Sequence, residues 1–357
     1  KSFGFFPQSG VYAVSDTNLK SPQVNTWNLS IQRQVAKWLL SGSYLGNHTA
    51  HLWSSRELNP QVYIPGNCAT GQYGLTAAGP CSSTAAANTA ARRKLTLLNP
   101  TWGPWYSTIA YLDAGATSAY NGMILSAQHR MSNNFSVLAN WTYSHCLADP
   151  STTELTGPSY VDPDNRSADR SNCSSDHRQQ VNISGVLVSP RVRNPWLGIL
   201  ANGWQAAPIF HWSTGNLTSV TYGTDVALTG AGNQRAQQIQ SDVYGDGSIT
   251  NYLNINAFLA PASAPKGQYA TTRPFTISGP GVMNIDLALS RNFKIREHQT
   301  AQFRAEAFNL TNSVMFGPPT GALNSTNFGR INPQIQSSAP GSTSTARIMQ
   351  FAVRYTF

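Results

Sequence analysis

Charge is scarce in this sequence. Only 11% of its 357 residues are Asp, Glu, Lys or Arg, whereas a water-soluble globular chain carries about a quarter. Long apolar runs are missing as well, and no stretch approaches the roughly 18 residues that a membrane-crossing helix needs. Uninterrupted helix-forming tracts are rare, because 28 Gly and 21 Pro are spread along the chain and both residues break helices. These shortages exclude a helical bundle and a helical membrane protein. Disorder is excluded by what is present: 14 Tyr, 14 Phe and 9 Trp are more apolar surface than an unfolded chain carries. About a third of the residues are Ser, Thr, Asn or Gln, so neutral polar groups solvate the surface. The composition describes a loop-rich, all-β chain. It opens on Lys1 with no Met and no apolar signal segment, which reads as a processed chain or a piece of a longer one.

The net charge of +9 does not call for a nucleic-acid partner. The cations are scattered, and the one cluster, Arg92-Arg93-Lys94, has no interleaved aromatics. It reads as a group of solvated loop cations.

Apolar residues recur at every second position in run after run. Trp27, Leu29 and Ile31 alternate with Asn28, Ser30 and Gln32. Phe135, Val137, Ala139, Trp141 and Tyr143 do the same, as do Met123–Ala127, Val181–Leu187, Ile285–Leu289 and Ala301–Ala307. Weaker strand signals cover 38–50 and 198–212. These runs reach about 10–14 residues, longer than the usual globular strand of about 5–6 and long enough to cross a bilayer at a tilt. The connections alternate strictly. Short ones fall near Ala36-Lys37, Met131–Asn134, Pro190–Pro195 and Ile295–His298; long ones fall near 51–117, 148–177, 213–281 and 312–345. Outer-membrane barrels place tight turns on the periplasmic side and long loops outside the cell. A large soluble β-sandwich also alternates, but has no reason to collect every long loop at one end.

The expected fold is therefore an antiparallel transmembrane β-barrel, of which residues 24–357 supply about nine spanning strands and 1–23 an extracellular loop segment. Under this parity the strand-like stretch Thr108–Asp113 belongs to an external loop. An odd number of spans cannot close the even-stranded barrel usual in bacteria, and an open edge in lipid leaves backbone groups unpaired, so further strands are expected from outside this chain. One face of the strands is apolar. The other carries Gln302, Arg304, Glu306, Gln350 and Arg354, expected to face the lumen, with Arg304 and Glu306 able to pair across to Arg354. Trp27, Trp141, Tyr143 and Tyr355 are candidates for interfacial aromatic girdles.

The chain ends on Met349, Phe351, Val353, Tyr355 and Phe357 at alternate positions, a pattern that resembles the C-terminal signal read by the barrel assembly machinery. With VNTWNLSIQR (24–33), SGSYLGNHTAHL (41–52), LNPQVYIPG (58–66), SAYNG (118–122), GPGVMNIDLAL (279–289), QFRAEAFNLT (302–311) and NFGRI (327–331), the whole chain resembles the C-terminal barrel portion of TonB-dependent outer-membrane receptors. Within that family it is most similar to the Oar-like group with its N-terminal carboxypeptidase-regulatory-like domain. The resemblance implies a barrel of 22 strands in the outer membrane of a Gram-negative bacterium, in contact with outer-membrane lipid and lipopolysaccharide. It also implies a plug domain and N-terminal strands of the same protein, the TonB complex as energy source, and uptake of a bulky solute. A surface adhesin or secretion-linked barrel without active transport is the other function to weigh, and a secreted binding module the third.

Four cysteines lie in two long loops. Cys68 and Cys81 bracket a Gly-rich part of one, and Cys146 and Cys173 bracket Leu147–Asn172 of the other. Four cysteines allow three pairings; in an oxidising compartment two local disulfides are expected, while zinc binding has no CxxC spacing to support it. Asp242 and Asp246 flank a Gly-rich turn that lacks the remaining ligands of a calcium loop. Asp162, Asp164, Arg166, Asp169, Arg170 and Asp176 read as a salt-bridged loop. The seven histidines are scattered, and neither GxSxG nor HExxH occurs, so no catalytic residue, cofactor or metal is assigned.

Overall fold

The protein is described here from a computed structural model, which defines residues 10–132, 134–150, 159–232, 234–331 and 346–357. Its main sheet contains strands β1 (Gly10–Ser15), β2 (Gln23–Val35), β3 (Trp38–Glu57), β4 (Tyr106–Ser132), β5 (Phe135–Asp149), β6 (Gln179–Val188), β7 (Trp204–Ser213), β8 (Val282–Arg296), β9 (Gln299–Phe308) and β10 (Ile348–Thr356). Strands β2 to β10 pair in chain order as a nine-stranded antiparallel meander. Its two ends, β10 and β2, are not paired with each other, so the wall is open. No helix among the described residues is long and apolar enough to cross a membrane.

Register makes the wall two-faced, because alternate residues of a strand point to opposite sides. On one side Leu29 stands opposite Tyr44, Tyr44 opposite Met123, and Met123 opposite Tyr143. The same side continues through Trp141 and Val181, Trp212 and Met283, Leu289 and Ala305, Ala305 and Phe351. On the other side Gln32 meets Ser41, Ser126 meets Asn140, Asn140 meets Asn182, Ser290 meets Arg304, and Glu306 meets Gln350. The apolar side has no second sheet against it: Val353 is 75% exposed and Phe351 66%. So broad an apolar face is stable only against hydrocarbon. Trp27 lies across Gly46, where a Cβ would come within 2.3 Å of the indole; an aromatic shielding a strand glycine in this way holds the register. Toward the short-turn end the same face carries an aromatic band, in which His129 stacks on Phe135 at 4.2 Å and meets Trp38 edge-on at 4.9 Å. Tyr355, on that face near the end of β10, stacks on Phe357.

Three of the four short turns lie where expected. Ala36 (φ 53°) and Asn134 (φ 70°) take the left-handed conformation that tight hairpins require, and β8 turns into β9 after Arg296. The fourth differs. Pro190–Pro195 is only the start of a 15-residue connection, 189–203, and the weak strand signal over 198–212 resolves into a helix followed by β7. Thr108–Asp113 is a correction too: it is the upper part of β4, a continuous strand of 27 residues, about 90 Å of extended chain. Likewise β3 runs to Glu57, well inside the expected loop 51–117. Residues 10–15 of the expected loop segment 1–23 form β1, parallel to β4. Positions 332–345 of the last long loop lie outside the described residues.

Candidate functional site

At the long-loop end the connections fold into a cap with an apolar core of its own. Val220, Tyr222, Leu253, Phe258 and Ile277 are buried together, with Leu323 and Phe328 packed on them. The buried apolar residues of the described chain are concentrated here rather than in the wall. That inversion follows from solvent: the wall is buried by membrane, whereas the cap stands in water and must bury its own side chains.

Polar residues join the loops. Asn59, fully buried, donates from Nδ2 to the carbonyls of Tyr106 (3.0 Å) and Ser107 (2.8 Å) and accepts from Leu95 N (2.8 Å). Arg92 is fully buried as well. Its guanidinium donates to Asn88 Oδ1 (2.8 Å), Val62 O (2.6 Å), Leu228 O (2.8 Å) and Ser83 O (2.9 Å). This corrects the expectation of solvated loop cations. Burial pulls the Arg92 and Arg93 guanidiniums below their ordinary value, opposed by Asp225 and Glu57 respectively. Arg93 donates to Asn59 O (2.8 Å).

The salt-bridged loop is as expected in part. Arg166 pairs with Asp113, Asp169 with Arg235, and Asp176 with Arg178 (3.3 Å). Both disulfides are the local ones, Cys68–Cys81 and Cys146–Cys173, and Asp176 Oδ1 accepts the Cys146 N–H at 2.7 Å beside the second. Asp242 and Asp246 spend their carboxylates on turn N–H groups, those of Tyr244 (3.1 Å) and Ser248 (2.9 Å).

A cavity of about 230 Å³ opens where three loops meet, walled in part by Glu57, Gln61, Arg93, Tyr160, Gly230 and Tyr269. Glu57 Oε1 is committed to the N–H groups of Asn59 (2.8 Å) and Ile109 (2.9 Å). Gln61 Oε1 is buried without a hydrogen-bond partner among the described residues. The Tyr160 hydroxyl lies 3.1 Å from Ser54 Oγ, and burial pushes the phenol up to about 12. Amide, guanidinium and phenol groups line this small space, a surface that offers hydrogen bonds to one polar group. Reading the sequence alone missed this cavity, since its walls come from residues up to about 200 positions apart.

On the wall, Gln302 stands opposite Arg354 and Glu306 opposite Gln350, so these four share the polar side with Arg304. The charges differ in pairing from expectation. Arg304 bonds Glu306, two residues along its own strand, and Arg354 faces Gln302 instead. Met349, Phe351, Val353 and Tyr355 alternate onto the apolar side opposite Ala307, Ala305, Phe303 and Ala301.

The chain has no match among curated proteins. Among solved structures it is similar to the outer membrane transporter YddB from Escherichia coli (TM-score 0.48, 11% identity, 98% of this chain and 35% of that one). It is also similar to the pyoverdine outer membrane receptor FpvA from Pseudomonas aeruginosa PAO1 (TM-score 0.42, 11% identity, 98% and 32%) and the FrpB iron transporter from Neisseria meningitidis (TM-score 0.40, 9% identity, 97% and 33%). It spans about a third of the length of each. The family model of the outer membrane beta barrel domain matches residues 1–350. With a two-faced wall, tight turns at one end and a folded cap at the other, the chain belongs to the outer membrane beta-barrel domain family and resides in the Gram-negative outer membrane.

Proposed function

We propose that this chain is a nine-strand section of wall, with its extracellular cap, from a TonB-dependent receptor of the Oar-like kind that imports a bulky solute. One observation carries the reading: the end strands β2 and β10 each keep one edge without a partner strand, while the polar side of the wall bears Arg304, Glu306 and Arg354. Unpaired edges in lipid are costly, so further strands complete the barrel. Charges on the inner side need water or a polar filling, and in a wide barrel a plug domain supplies it. On this reading the cap captures solute, the plug gates passage, and TonB delivers the energy. The barrel assembly machinery reads Met349 to Phe357 during insertion, and lipopolysaccharide surrounds the outer half of the wall. The protein then works by binding and passage, without covalent chemistry.

The test uses the full-length protein. Purified receptor is passed over immobilised periplasmic domain of TonB; retention is expected. Loss of retention in both detergent and lipid rejects energised transport and favours the adhesin reading, which leaves the barrel intact. Arg304→Ala with Glu306→Ala is expected to loosen plug docking, measured as faster proteolysis of the plug in folded barrels.

A further inference from the structure

The 15-residue periplasmic connection between β6 and β7 contains a helix, α1 (Pro195–Ala201), whose large side chains stay exposed among the described residues. Trp196 is 81% exposed, Leu200 72%, Ile199 63% and Leu197 59%. At 100° per residue these four fall on one side of the helix. Gly198 occupies the opposite side, where a Cβ would come within 3.1 Å of Val192 O, so that side is the packed one.

The helix is ordered, not a frayed loop. Asn194 Oδ1 caps it by accepting the N–H groups of Trp196 (3.0 Å) and Leu197 (3.2 Å). Asn202 closes the connection by accepting from Val192 N (2.7 Å) and donating to Val192 O (3.1 Å). Two residues of the wall then fix where the helix lies. Trp204 Nε1 donates to Leu200 O at 2.7 Å, and Arg291 donates to Ile199 O. Register places Trp204, Arg291 and Phe303 in one row on the apolar, lipid-facing side. Arg291 also lies over the Trp204 ring (5.3 Å) and the Phe293 ring (4.6 Å). The helix is therefore tied to the outside of the wall, and its apolar side continues the surface that meets hydrocarbon.

Charge at this end is one-sided. Arg33, Lys37, Arg191, Arg193, Arg291 and Arg296 are among the cations in or beside the periplasmic turns, where Glu297 is the one carboxylate side chain among the described residues; Arg191 and Arg193, immediately before the helix, are exposed. An apolar helix face flanked by cations is the signature of an element that lies in a membrane interface and holds anionic headgroups.

We propose that α1 with Arg191 and Arg193 is a phospholipid anchor in the periplasmic leaflet. Trp196, Leu197, Ile199 and Leu200 enter the boundary between headgroups and acyl chains, and the two arginines hold the phosphodiester groups of anionic glycerophospholipids. This inference rests on the outer-membrane location alone and does not depend on TonB or on a transported solute.

The experiment uses full-length protein in nanodiscs of phosphatidylcholine, with or without phosphatidylglycerol. The fluorescence lost in Trp196→Phe is expected to be blue-shifted and quenched by lipid brominated near the glycerol end of the acyl chain. In native mass spectrometry, retained phosphatidylglycerol is expected to fall about fivefold for each charge removed in Arg191→Gln and Arg193→Gln. The double lysine variant should retain it, which separates charge from any structural role of the arginines. A water-like, unquenched Trp196 overturns the proposal and leaves the helix face to a periplasmic protein. Unchanged phosphatidylglycerol retention in the glutamine variants also overturns it. A heat-modifiable gel shift confirms that each variant barrel is folded before it is scored.

Discussion

Asp169 and Arg235 form an ion pair in which both side chains are almost wholly buried, joining two loops 66 residues apart in sequence. Arg235 also donates to Thr272 O (2.7 Å) and Ala168 O (3.2 Å), and Asp169 Oδ2 accepts from Val161 N (3.0 Å). Removing one partner leaves the other charge buried and unpaired, at a cost of about 3–5 kcal/mol. Arg235→Met is therefore expected to open the cap. Hydrogen exchange should rise across 159–178 and 214–281, while the wall keeps its gel shift. An exchange pattern equal to wild type would contradict the assignment.

Arg92 joins loop 58–105 to loop 214–281 through its bond to Leu228 O, and braces its own loop through Val62 O. Arg92→Lys has one nitrogen where four acceptors wait, and each acceptor left buried without a donor costs about 1–3 kcal/mol. The variant should be cut faster by protease between 58 and 105, with little change at β6 to β10. Equal cleavage rates would show that the guanidinium fork is dispensable.

Tyr160 supplies a pH dependence. Its phenol, held neutral by burial, titrates at about 12 in the folded cap against about 10 in an unfolded chain. A raised folded value stabilises the cap below pH 10 and loses that contribution as pH climbs toward 12. Alkaline loosening of the cap should thus begin near pH 10. In Tyr160→Phe the slope between pH 10 and 12 should be shallower, read by exchange or proteolysis of the loops. The bond to Ser54 is lost at every pH in that variant, which lowers the whole curve without restoring the slope.

Neighbouring residues of β10 test the two faces of the wall. Val353 points to the apolar side and Ala352, opposite Arg304, to the polar side. Val353→Arg, two residues inward of the aromatic Tyr355, is expected to cost about 1–2 kcal/mol, less than the midplane value of about 2–4, and to lower the fraction that folds in vesicles. Ala352→Arg should leave insertion nearly unchanged. Equal effects would mean that the faces are misassigned.

How much of this was legible in the sequence depended on periodicity. The nine spans, the register faces and three tight turns follow from alternation at two residues, which the bilayer enforces on every strand. The local disulfides followed from cysteines bracketing single loops. The cap was not legible: Val220, Leu253, Phe258 and Ile277 meet on irregular backbone, and no period links them. Arg92 reads like its neighbours Arg93 and Lys94 until tertiary structure buries it. The last residues of the helix, 198–201, fall inside the weak strand signal over 198–212, because Ile199 and Leu200 belong to a short apolar run that is ambiguous between the two states. Asn194-Pro195 was the available signal, a cap residue followed by proline at the first helical position. The upper third of β3 and nearly half of β4 fall in the stretch 51–117 that reads as external loop; Thr108–Asp113 looks strand-like, but a separate span there would break the alternation of short and long connections.

That overshoot sets the height of the cavity. At a tilt of about 40° a 27-residue stave rises up to roughly 70 Å, against an apolar band of about 25 Å. Glu57 and Thr108, near the tops of β3 and β4, line the pocket and so lift it well clear of that band. Whatever enters that space does so far from hydrocarbon, at a rim that the tall staves hold in water.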